Sequence, residues 1–584
     1  MKHLNKPLAG HTRTWKFRPL QPEIQERFCR ELGISERLAG LLLNRGLTTP
    51  DAAEGFLNPS LHDLPNPFLL SGMERAVERL VRAFRKTEKI FVFGDYDMDG
   101  IAATSILVDF LRRTGYEVDY SIPSRLVDGY GLNREAVSRA ADNGATLALT
   151  VDCGISNLDE VEYGRSRGLD FIITDHHQIP EKIPAAAAVI NPHLPDCSYP
   201  FSELAGVGVA FNLMMALRKG LRQAGLARDV NLLQYLDLVA LGTVADVMPL
   251  NGVNRILVAY GLNEINQARR CGLRALLQAC RFPRGQQVSS RDIAFRLAPR
   301  VNAVGRIADA GSAVALFLSR DRAQAGQLAD HLVECNKNRQ EIEKEIFRQA
   351  EEQLAKEERL AEARVIVLAS NDWHPGVVGI VSSRLAESHG KPTLLLALDE
   401  EGIGRGSGRS IPGLDLVRAL EGCGARMLRF GGHAQAVGLT IAAGDIDQLR
   451  YRLDLYLAEN EPRPETRPEL WLDGVLDPAE ITADLVDELE KLQPFGYGNP
   501  EPAFAVTNAR VSRATPLKAN GRRHFKFSFE FPGHRQQLPG IAFNFTGPAP
   551  ASGARLDLAF TPEENSWQGR TEIRLNLIDI HSPG

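Results

Sequence analysis

The stretch that decides the fold is Lys89-Ile90-Phe91-Val92-Phe93, an apolar run that leads directly into Gly94-Asp95-Tyr96-Asp97-Met98-Asp99-Gly100. Three more apolar runs also lead into acids or histidines. Residues 147–151 precede Asp152, residues 171–174 precede Asp175-His176-His177, and residues 235–245 precede Asp246. A parallel sheet gathers functional side chains at the carboxyl ends of its strands. The four runs therefore predict strand ends that meet at a two-metal site for phosphate.

The expected metal ligands are mostly carboxylates. Two divalent ions about 3.5–4 Å apart can bridge a phosphate, activate water and stabilise the leaving oxygen. Carboxylates offset their charge, and one should be shared by both ions. An oxygen and imidazole ligand set suits Mn²⁺ and Mg²⁺ better than zinc, because no thiolate is included. The residues that meet this need are Asp97, Asp99, Asp152, His176 and Asp246.

Each acid also has a simpler interpretation. A single aspartate after a strand is most often a helix cap or a solvated loop residue. Asp-x-Asp-x-Asp can open a calcium loop, but here Gly100 is followed by an apolar helix without the glutamate such a loop requires. Four runs that converge favour the metal site over four separate caps.

Composition sets the broad class. A chain of 584 residues suggests roughly three to four domains. The seven cysteines are scattered without a Cys-x-x-Cys pair, which disfavours a disulfide framework or a cysteine zinc site and indicates a reducing cytoplasm. The N-terminal residues lack the apolar core of a signal peptide, and no apolar run is long enough to span a membrane. The net charge of −5 understates the affinity for phosphate, because bound metals would neutralise the acidic cluster.

The expected fold class is α/β, with two α/β lobes joined by a long helix and followed by a β-barrel that resembles an OB fold. Strands and helices alternate from 72 to 200, which predicts a parallel sheet. Residues 336–363 lack glycine and proline and carry an apolar residue every fourth position, which favours a helical strut over a coiled-coil partner site. The strict alternation of phenylalanine over 525–531 predicts a barrel strand with its phenylalanines in the core. The expected regions are an N-terminal helical and loop region at 1–71, a catalytic domain at 72–320, a connecting helix at 321–363, a substrate-binding domain at 364–460 and the barrel at 461–584.

Four motifs carry a family resemblance. Gly-Asp-Tyr-Asp-Met-Asp-Gly, Val-Asp-Cys-Gly-Ile, Thr-Asp-His-His and Gly-Thr-Val-Ala-Asp-Val occur in this order and resemble the motifs of the DHH phosphoesterase superfamily. From about residue 72 to 584 the chain is similar to bacterial exonucleases of that superfamily that degrade single-stranded DNA from the 5′ end. The resemblance implies a catalytic DHH domain, a second lobe of the DHHA1 type and two Mn²⁺ or Mg²⁺ ions.

The resemblance also implies roles for single residues. Asp152 would be the ligand shared by both ions, His177 would lie beside the scissile phosphate as a polarising or acid/base group, and Asp175 would orient a histidine. Some members of the superfamily have a histidine ligand at the position of Phe93, so here one ion would rely on Asp95 or water.

Basic and glycine-rich segments are expected to hold the strand. Residues 300–306 offer two arginines and Asn302, and bidentate contacts of guanidinium with phosphate are the reason to expect binding there rather than a surface arginine pair. Residues 402–410 lack the context of a dinucleotide fingerprint, and their glycines would instead let Arg409 approach phosphate. The resemblance places Gly-Gly-His433 in the substrate-binding lobe, and it implies a pocket for the 5′-phosphate formed by Arg125, Arg306, Ser407 and Arg409.

Basic residues beside the barrel phenylalanines suit single-stranded nucleic acid. They are Lys518, Arg522, Arg523, His524 and Lys526.

The preferred function is a single-stranded-DNA-specific 5′→3′ exonuclease that releases 5′-mononucleotides in DNA recombination and repair. The resemblance implies single-stranded DNA as the substrate, with a single-strand-binding protein and a helicase as partners, and a cytoplasmic location. The alternatives are a DHH phosphodiesterase acting on short oligoribonucleotides or cyclic dinucleotides, and a catalytically inactive replication scaffold. The barrel and the extra length at 203–320 favour a polymeric substrate over the first alternative.

Overall fold

The computed structural model describes residues 13–19, 21–123, 131–226, 228–283, 285–460, 468–519, 522–534, 537–545, 548–567 and 570–582. Two α/β lobes, a long helix and a closed β-barrel are present, as predicted. Within the described ranges, no helix combines the length and apolar character needed to cross a membrane.

The first lobe is built on a fully parallel five-stranded sheet. Ile90–Phe93, Leu147–Val151 and Ala188–Ile190 are buried over their full length, as strands covered by helices on both faces are. The strands, in their order across the sheet, are Val118–Ser121, Ile90–Phe93, Leu147–Val151, Asp170–Thr174 and Ala188–Ile190. The helices around them are Met73–Lys86, Met98–Thr114, Arg134–Asp142 and Leu158–Ser166.

The fourth apolar run is a helix, and its prediction as a strand was wrong. Leu236–Ala245 forms an α-helix, and Asp246 caps its C-terminal end. Residues 236–244 are all buried, so the helix is apolar on every side and shows no periodicity by which a short sequence could be told from a buried strand. The other helices of this part are Gly206–Gln223, Gly252–Gln267, Cys271–Ala279, Ser290–Asp292, the π-helical turn Ile293–Leu297, Ala298–Ile307 and Gly311–Leu318.

The connecting helix begins before its apolar stripe and ends at Lys356, short of the predicted limit at 363, and a separate short helix follows at Glu358–Glu362. It runs over Arg322–Lys356, and Asp321 caps its N-terminus by accepting from the Gln324 N–H at 2.8 Å. Ile346, Ala350 and Leu354 are packed into a core with the second lobe, so the stripe is covered within the chain. The second lobe contains the strands Arg429–His433, Ala436–Ala442, Ile403–Arg409, Thr393–Leu398 and Ile366–Ser370 in sheet order, and the helices Glu358–Glu362, Val378–His389, Leu416–Gly422 and Ile446–Asn460.

The C-terminal barrel closes because its first strand pairs with both neighbours. Phe525, Phe527, Phe529 and Phe531 are buried in its core, as their alternation predicted. The strands around the barrel are Phe504–Ala519, Arg522–Glu530, Gln537–Ala542, Arg570–His581 and Arg555–Trp567. Gly474–Val475 extends the sheet, and the helix Ala483–Glu490 precedes the barrel.

The N-terminal region, to which the sequence assigned no role, packs with the barrel. The strand Thr14–Phe17 pairs in parallel with Glu469–Leu472. Phe28 and Phe56 share one core with Phe527. The ends of the described chain thus form one unit, with the N-terminal helices Pro22–Leu32, Glu36–Leu43 and Pro50–Leu57. Single 3₁₀ turns lie at Leu61–Asp63, Pro67–Leu69, Leu233–Tyr235, Ala443–Asp445 and Pro478–Glu480.

One arginine ties that unit to the catalytic lobe. Arg255, on the helix Gly252–Gln267, is only 2% exposed. Its guanidinium donates to the carbonyls of Phe56 at 2.7 Å, Leu492 at 3.0 Å and Gln493 at 2.6 Å. It also lies 3.6 Å from the centre of the Phe56 ring. Three segments far apart in sequence therefore meet at one side chain.

Replacing Arg255 should loosen this junction. Arg255→Met keeps much of the side-chain volume but removes the arginine donor of the Phe56 and Gln493 carbonyls and one of the two donors of the Leu492 carbonyl. This loss should lower the free energy of unfolding by about 2–4 kcal/mol. Urea denaturation followed by tryptophan fluorescence measures the change. Arg269→Met, at a side chain that is 67% exposed, is the control, and equal midpoints for the two variants would contradict the role of Arg255.

Candidate metal centre

The acidic loop is shaped by the start of a helix. Asp97 is the N-cap of Met98–Thr114, and its Oδ1 accepts from the N–H groups of Asp99 at 2.9 Å and Gly100 at 3.1 Å. Asp95, Asp97 and Asp152 each bring one carboxylate oxygen into a group in which all these atoms lie within 4.8 Å of one another. Asp97 is thus both a helix cap and a member of the cluster.

Asp99 is held by the start of a second helix. Its Oδ2 accepts from the Gly206 N–H at 2.7 Å, and its Oδ1 accepts from the Val207 N–H at 3.0 Å. The unpaired N–H groups and the positive dipole end of a helix stabilise such a carboxylate. Burial and the nearby Asp97 charge nevertheless outweigh these bonds and raise the pKa of Asp99 to about 7.

His176 lies at the centre of the cluster. Its Nε2 is 3.1 Å from Asp152 Oδ1 and 3.5 Å from Asp246 Oδ2. Burial, with the neighbouring His177 charge, lowers the pKa of His176 to about 4. The imidazole is therefore neutral near pH 7, the form that binds a metal ion.

The carboxylates repel one another. Burial and the neighbouring acids, Asp99 first among them, raise the pKa values of Asp152 and Asp246 well above the ordinary value. Several acids and a neutral imidazole, brought together in a buried site, make a donor set for hard divalent cations, whose charge would relieve the repulsion. The predicted ligand residues and the chemistry of two Mn²⁺ or Mg²⁺ ions therefore fit each other.

Asp175 orients the second histidine. Its Oδ1 accepts from the N–H of His176 at 2.8 Å and from His177 Nδ1 at 2.7 Å, while its Oδ2 accepts from the Ile155 N–H at 2.9 Å. Burial opposes the charge on His177, but the bond to Asp175 prevails and raises the pKa of His177 to about 9. His177 stays partly exposed, with 44% of its side chain open to solvent.

Two glycines that the sequence analysis did not select make room for the acids. A Cβ on Gly206 would lie 2.6 Å from Asp152 Oδ1, and one on Gly242 would lie 2.6 Å from Asp99 Oδ1. Gly206 follows Leu204-Ala205 and Gly242 precedes Thr243 in otherwise apolar segments. Only their position in the folded chain shows that the carboxylates need that space.

Phe93 and Asp95 occupy the part of the site where the sequence departs from the superfamily. Phe93 is buried in a core, with its ring 4.8 Å from that of Phe91. Asp95 is 3% exposed and belongs to the group with Asp97 and Asp152. Asp95 therefore brings a carboxylate oxygen into the acidic cluster, whereas the Phe93 ring packs in the core.

The segment at 300–306 supports the site and joins the lobes. Asn302 Oδ1 accepts from the Met98 N–H at 2.7 Å, so this side chain holds the acidic loop rather than pointing freely into the cleft. A Cβ on Gly305 would lie 2.5 Å from the Tyr96 carbonyl oxygen, which shows how closely the helix approaches that loop. Arg306 Nη1 donates to the Gly376 carbonyl of the second lobe at 3.3 Å.

The expected phosphate-binding residues of the second lobe share one sheet face. Ser407 and Arg409 alternate along Ile403–Arg409, and Arg409, Ala436 and His433 stand in one row across three strands. A Cβ on Gly379 would lie 3.1 Å from Ser407 Oγ and 3.4 Å from Arg409 Nη2. His433 is exposed.

Some of the remaining predicted contacts fall outside what the structure describes. Arg125 falls outside the described residues, as do the side chains of Lys518 and Arg522. In the barrel, Arg523 and Lys526 are exposed, whereas His524 Nδ1 accepts from the Asn544 N–H at 2.9 Å.

Three family models match the chain. The DHH family N-terminal domain matches residues 89–243, the DHHA1 domain matches 362–459 and the RecJ OB domain matches 472–579. These matches confirm the resemblance to the DHH superfamily.

Whole proteins match over nearly the full length. A single-stranded-DNA-specific exonuclease RecJ from Dickeya dadantii is 41% identical over 534 residues, or 89% of this chain and 92% of that protein. The protein of the same name from Bacillus subtilis is 36% identical over 577 residues, or 98% of this chain and 71% of that protein. The crystal structure of RecJ in complex with Mn²⁺ from Thermus thermophilus superposes with a TM-score of 0.83 at 32% identity, and the match covers 98% of this chain and 80% of that one.

Removing one acid should separate stability from metal binding. Asp152→Asn removes part of the repulsion, so it should raise the melting temperature of the catalytic lobe in EDTA by a few degrees and abolish most of the rise that Mn²⁺ produces. Folding raises the pKa of Asp152 well above its ordinary value, so its charge destabilises the protein at neutral pH, and this penalty shrinks as the pH falls toward the ordinary value. The rise in melting temperature that Asp152→Asn produces in EDTA should therefore be smaller at lower pH.

Differential scanning fluorimetry with and without MnCl₂ measures both effects. Asp484→Asn, at an exposed acid far along the chain, is the control. The assignment of Asp152 as a metal ligand would be contradicted if Asp152→Asn had a lower melting temperature than the wild type in EDTA. It would also be contradicted if Mn²⁺ raised the melting temperature of the variant as much as that of the wild type.

Proposed function

We propose, because the chain belongs to the RecJ family of single-stranded-DNA-specific exonucleases, that it hydrolyses single-stranded DNA from the 5′ end and releases 5′-mononucleotides. The observation that carries the proposal is the buried convergence of carboxylates on the neutral His176, whose Nε2 lies 3.1 Å from Asp152. A site of this kind suits phosphodiester hydrolysis, and the family supplies the substrate.

Two divalent cations, Mn²⁺ or Mg²⁺, are the cofactors. When bound, they supply an activated water and stabilise charge on the phosphate and the leaving oxygen. Asp152 is proposed as the shared ligand, because it belongs both to the group with Asp95 and Asp97 and to the group with His176 and His177. The full proposed ligand set is Asp95, Asp97, Asp99, Asp152, His176 and Asp246.

His177 is proposed to act on the scissile phosphate. The bond from Nδ1 to Asp175 fixes the ring and raises the pKa of His177 to about 9, so the ring carries a proton on each nitrogen near pH 7. Nε2 can then polarise a phosphate oxygen or give its proton to the leaving oxygen. Asp175 acts through His177 and His176 by positioning them.

The second lobe is proposed to bind the 5′-phosphate. Ser407 and Arg409 lie together against Gly379, and Arg306 reaches the same lobe through Gly376. Arg125, Asn302 and His433 complete the proposed set, with Asn302 acting through the acidic loop. We propose the division into regions at 1–71, 72–320, 321–363, 364–460 and 461–584, with the N-terminal region packed on the barrel.

The cellular role is proposed from the substrate. An enzyme confined to single strands acts on DNA that has been unwound, which supports a helicase and a single-strand-binding protein as partners in recombination and repair in the cytoplasm. The rival substrates, short oligoribonucleotides and cyclic dinucleotides, need only the two α/β lobes, whereas this chain adds a barrel with exposed Arg523 and Lys526.

Digestion of end-labelled DNA tests the proposal. With Mn²⁺, a 5′-phosphorylated single strand of about 30 nucleotides should be degraded stepwise from the 5′ end, while the matching blunt duplex resists. Products are resolved by gel electrophoresis, with EDTA as the control. Hydrolysis confined to di- and trinucleotides or cyclic dinucleotides would favour the rival, and no hydrolysis under any metal would favour the scaffold.

Arg409 should distinguish the 5′ end of the substrate. Arg409→Ala removes a charge-assisted contact to phosphate, so KM for a 5′-phosphorylated strand should rise about 10- to 100-fold, with a smaller rise for a 5′-hydroxyl strand. Arg409→Lys should recover only part of the loss, because a lysine cannot bind in a bidentate manner. Arg418→Ala, at an exposed arginine of the same lobe, is the control, and equal effects of Arg409→Ala on both strands would contradict the pocket.

A further inference from the structure

An exposed aromatic side chain lies on a turn from the C-terminal part of the chain that contacts the catalytic lobe. Tyr497 is 58% exposed and sits within the turn 496–499, whose ends form a β-bridge. The Tyr497 carbonyl accepts from the Leu250 N–H at 2.7 Å. The turn also touches the catalytic lobe through Gly498, where a Cβ would lie 2.8 Å from Pro249 Cβ.

The turn is within a few nucleotides of the proposed metal ligands. Leu250 is four residues after Asp246, and four residues span at most about 14 Å. That length corresponds to about four stacked nucleotides at the rise of one DNA strand. Between them lies Val247, which is 53% exposed with a φ of +60°, a conformation that β-branched residues rarely adopt. Val247, directly after Asp246, and Tyr497, on the turn that contacts Leu250, are therefore both open to solvent.

The turn is held rigidly. Asn499 is fully buried, and its Nδ2 donates to the carbonyls of Leu492 and Pro494, both at 2.8 Å. Arg45 Nε donates to Asn499 Oδ1 at 2.7 Å. A side chain presented on such a fixed backbone loses little further freedom on binding, which favours a recognition role.

The turn borders a cavity with charges of both signs. The cavity, of about 390 Å³, is lined by Gly496 and Gly498 of the turn, by Arg18, Arg45 and Arg291, and by Glu469, Asp473 and Glu501. Arg45 donates to Asn499 and to the carbonyls of Leu41 and Pro500. The exposed ring of Tyr497 is therefore the feature of the turn that suits a single strand, because every base has a face on which a ring can stack.

We propose that Tyr497 stacks on a base of the single strand on the 3′ side of the scissile phosphate. The inference rests on the proposed function, in which the second lobe holds the 5′-phosphate. The second lobe meets the catalytic lobe at Arg306 and Gly376, whereas Tyr497 meets it at Leu250, so the strand is gripped through two separate junctions. Nucleotides that have not yet reached the metals would bind Tyr497.

A length series tests the proposal. For the wild type with Mn²⁺, a 5′-phosphorylated 12-mer reaches Tyr497 and a trimer does not, so the 12-mer should have the lower KM. In Tyr497→Ala the ratio of KM for the trimer to KM for the 12-mer should fall about tenfold, because KM for the 12-mer rises while kcat stays the same. Tyr497→Phe should keep the wild-type ratio, because stacking needs only the ring. Tyr451→Ala is the matched control, since Tyr451 is 70% exposed on the second lobe.

The outcomes separate this inference from the proposed function. A wild type that fails to degrade DNA overturns the proposed function, whereas normal digestion with the same length dependence in Tyr497→Ala and Tyr451→Ala overturns the stacking role alone. A change of mass in sedimentation for Tyr497→Ala, without a change in length dependence, would show instead that the turn contacts a second copy of the chain.

A crosslink keeps the test decisive should Tyr497→Ala unfold. The wild type with Mn²⁺ is irradiated on phosphorothioate 12-mers that carry 5-iododeoxyuridine at successive positions. The peptide that contains Tyr497 should crosslink at one or two positions beyond the first nucleotide. Crosslinks that avoid this peptide at every position would overturn the proposal.

Discussion

The mutual repulsion of buried carboxylates is the constraint on which the rest of the molecule depends. Asp99, Asp152 and Asp246 are brought around one imidazole, and burial and their neighbours raise all three pKa values. Such a cluster opposes folding at neutral pH. The surrounding structure must therefore hold the acids together at a cost, in a geometry that bound cations later stabilise.

Backbone N–H groups hold two of the acids in place. Asp97 and Asp99 are fixed by N–H groups at the starts of two different helices, which supply positive partial charge without a lysine or arginine that would compete with the metals. Glycine at 206 and 242 lets the two buried helices approach the carboxylates. Asn302 in turn accepts from the Met98 N–H, at the start of the helix that Asp97 caps. Asn302, which is predicted to bind substrate, thus also holds the acidic loop.

The sequence predicted the features that are local and missed those that depend on distant partners. Apolar runs that stop at acids located all four element ends, and three of them are strand ends as predicted, because the stop and the run are adjacent in the chain. The fourth, before Asp246, was placed correctly but assigned to the wrong element, since a helix buried on all sides has no polar face to reveal its period. The pairing of Thr14–Phe17 with Glu469–Leu472 joins positions more than 450 residues apart, and nothing in either strand indicates its partner.

The packing of the chain ends adds a second set of contacts to the catalytic lobe. The second lobe is carried by the long helix Arg322–Lys356, so its position follows from covalent continuity and from the stripe that covers it. The unit formed by the two chain ends contacts the catalytic lobe through Arg255 and through the turn at Tyr497. Arg255 donates to backbone carbonyls of that unit, and the Tyr497 carbonyl accepts from a backbone N–H of the lobe. Backbone contacts constrain position while leaving the side chain at 497 free to vary. The architecture therefore fixes where the turn meets the lobe and leaves the side chain at 497 exposed.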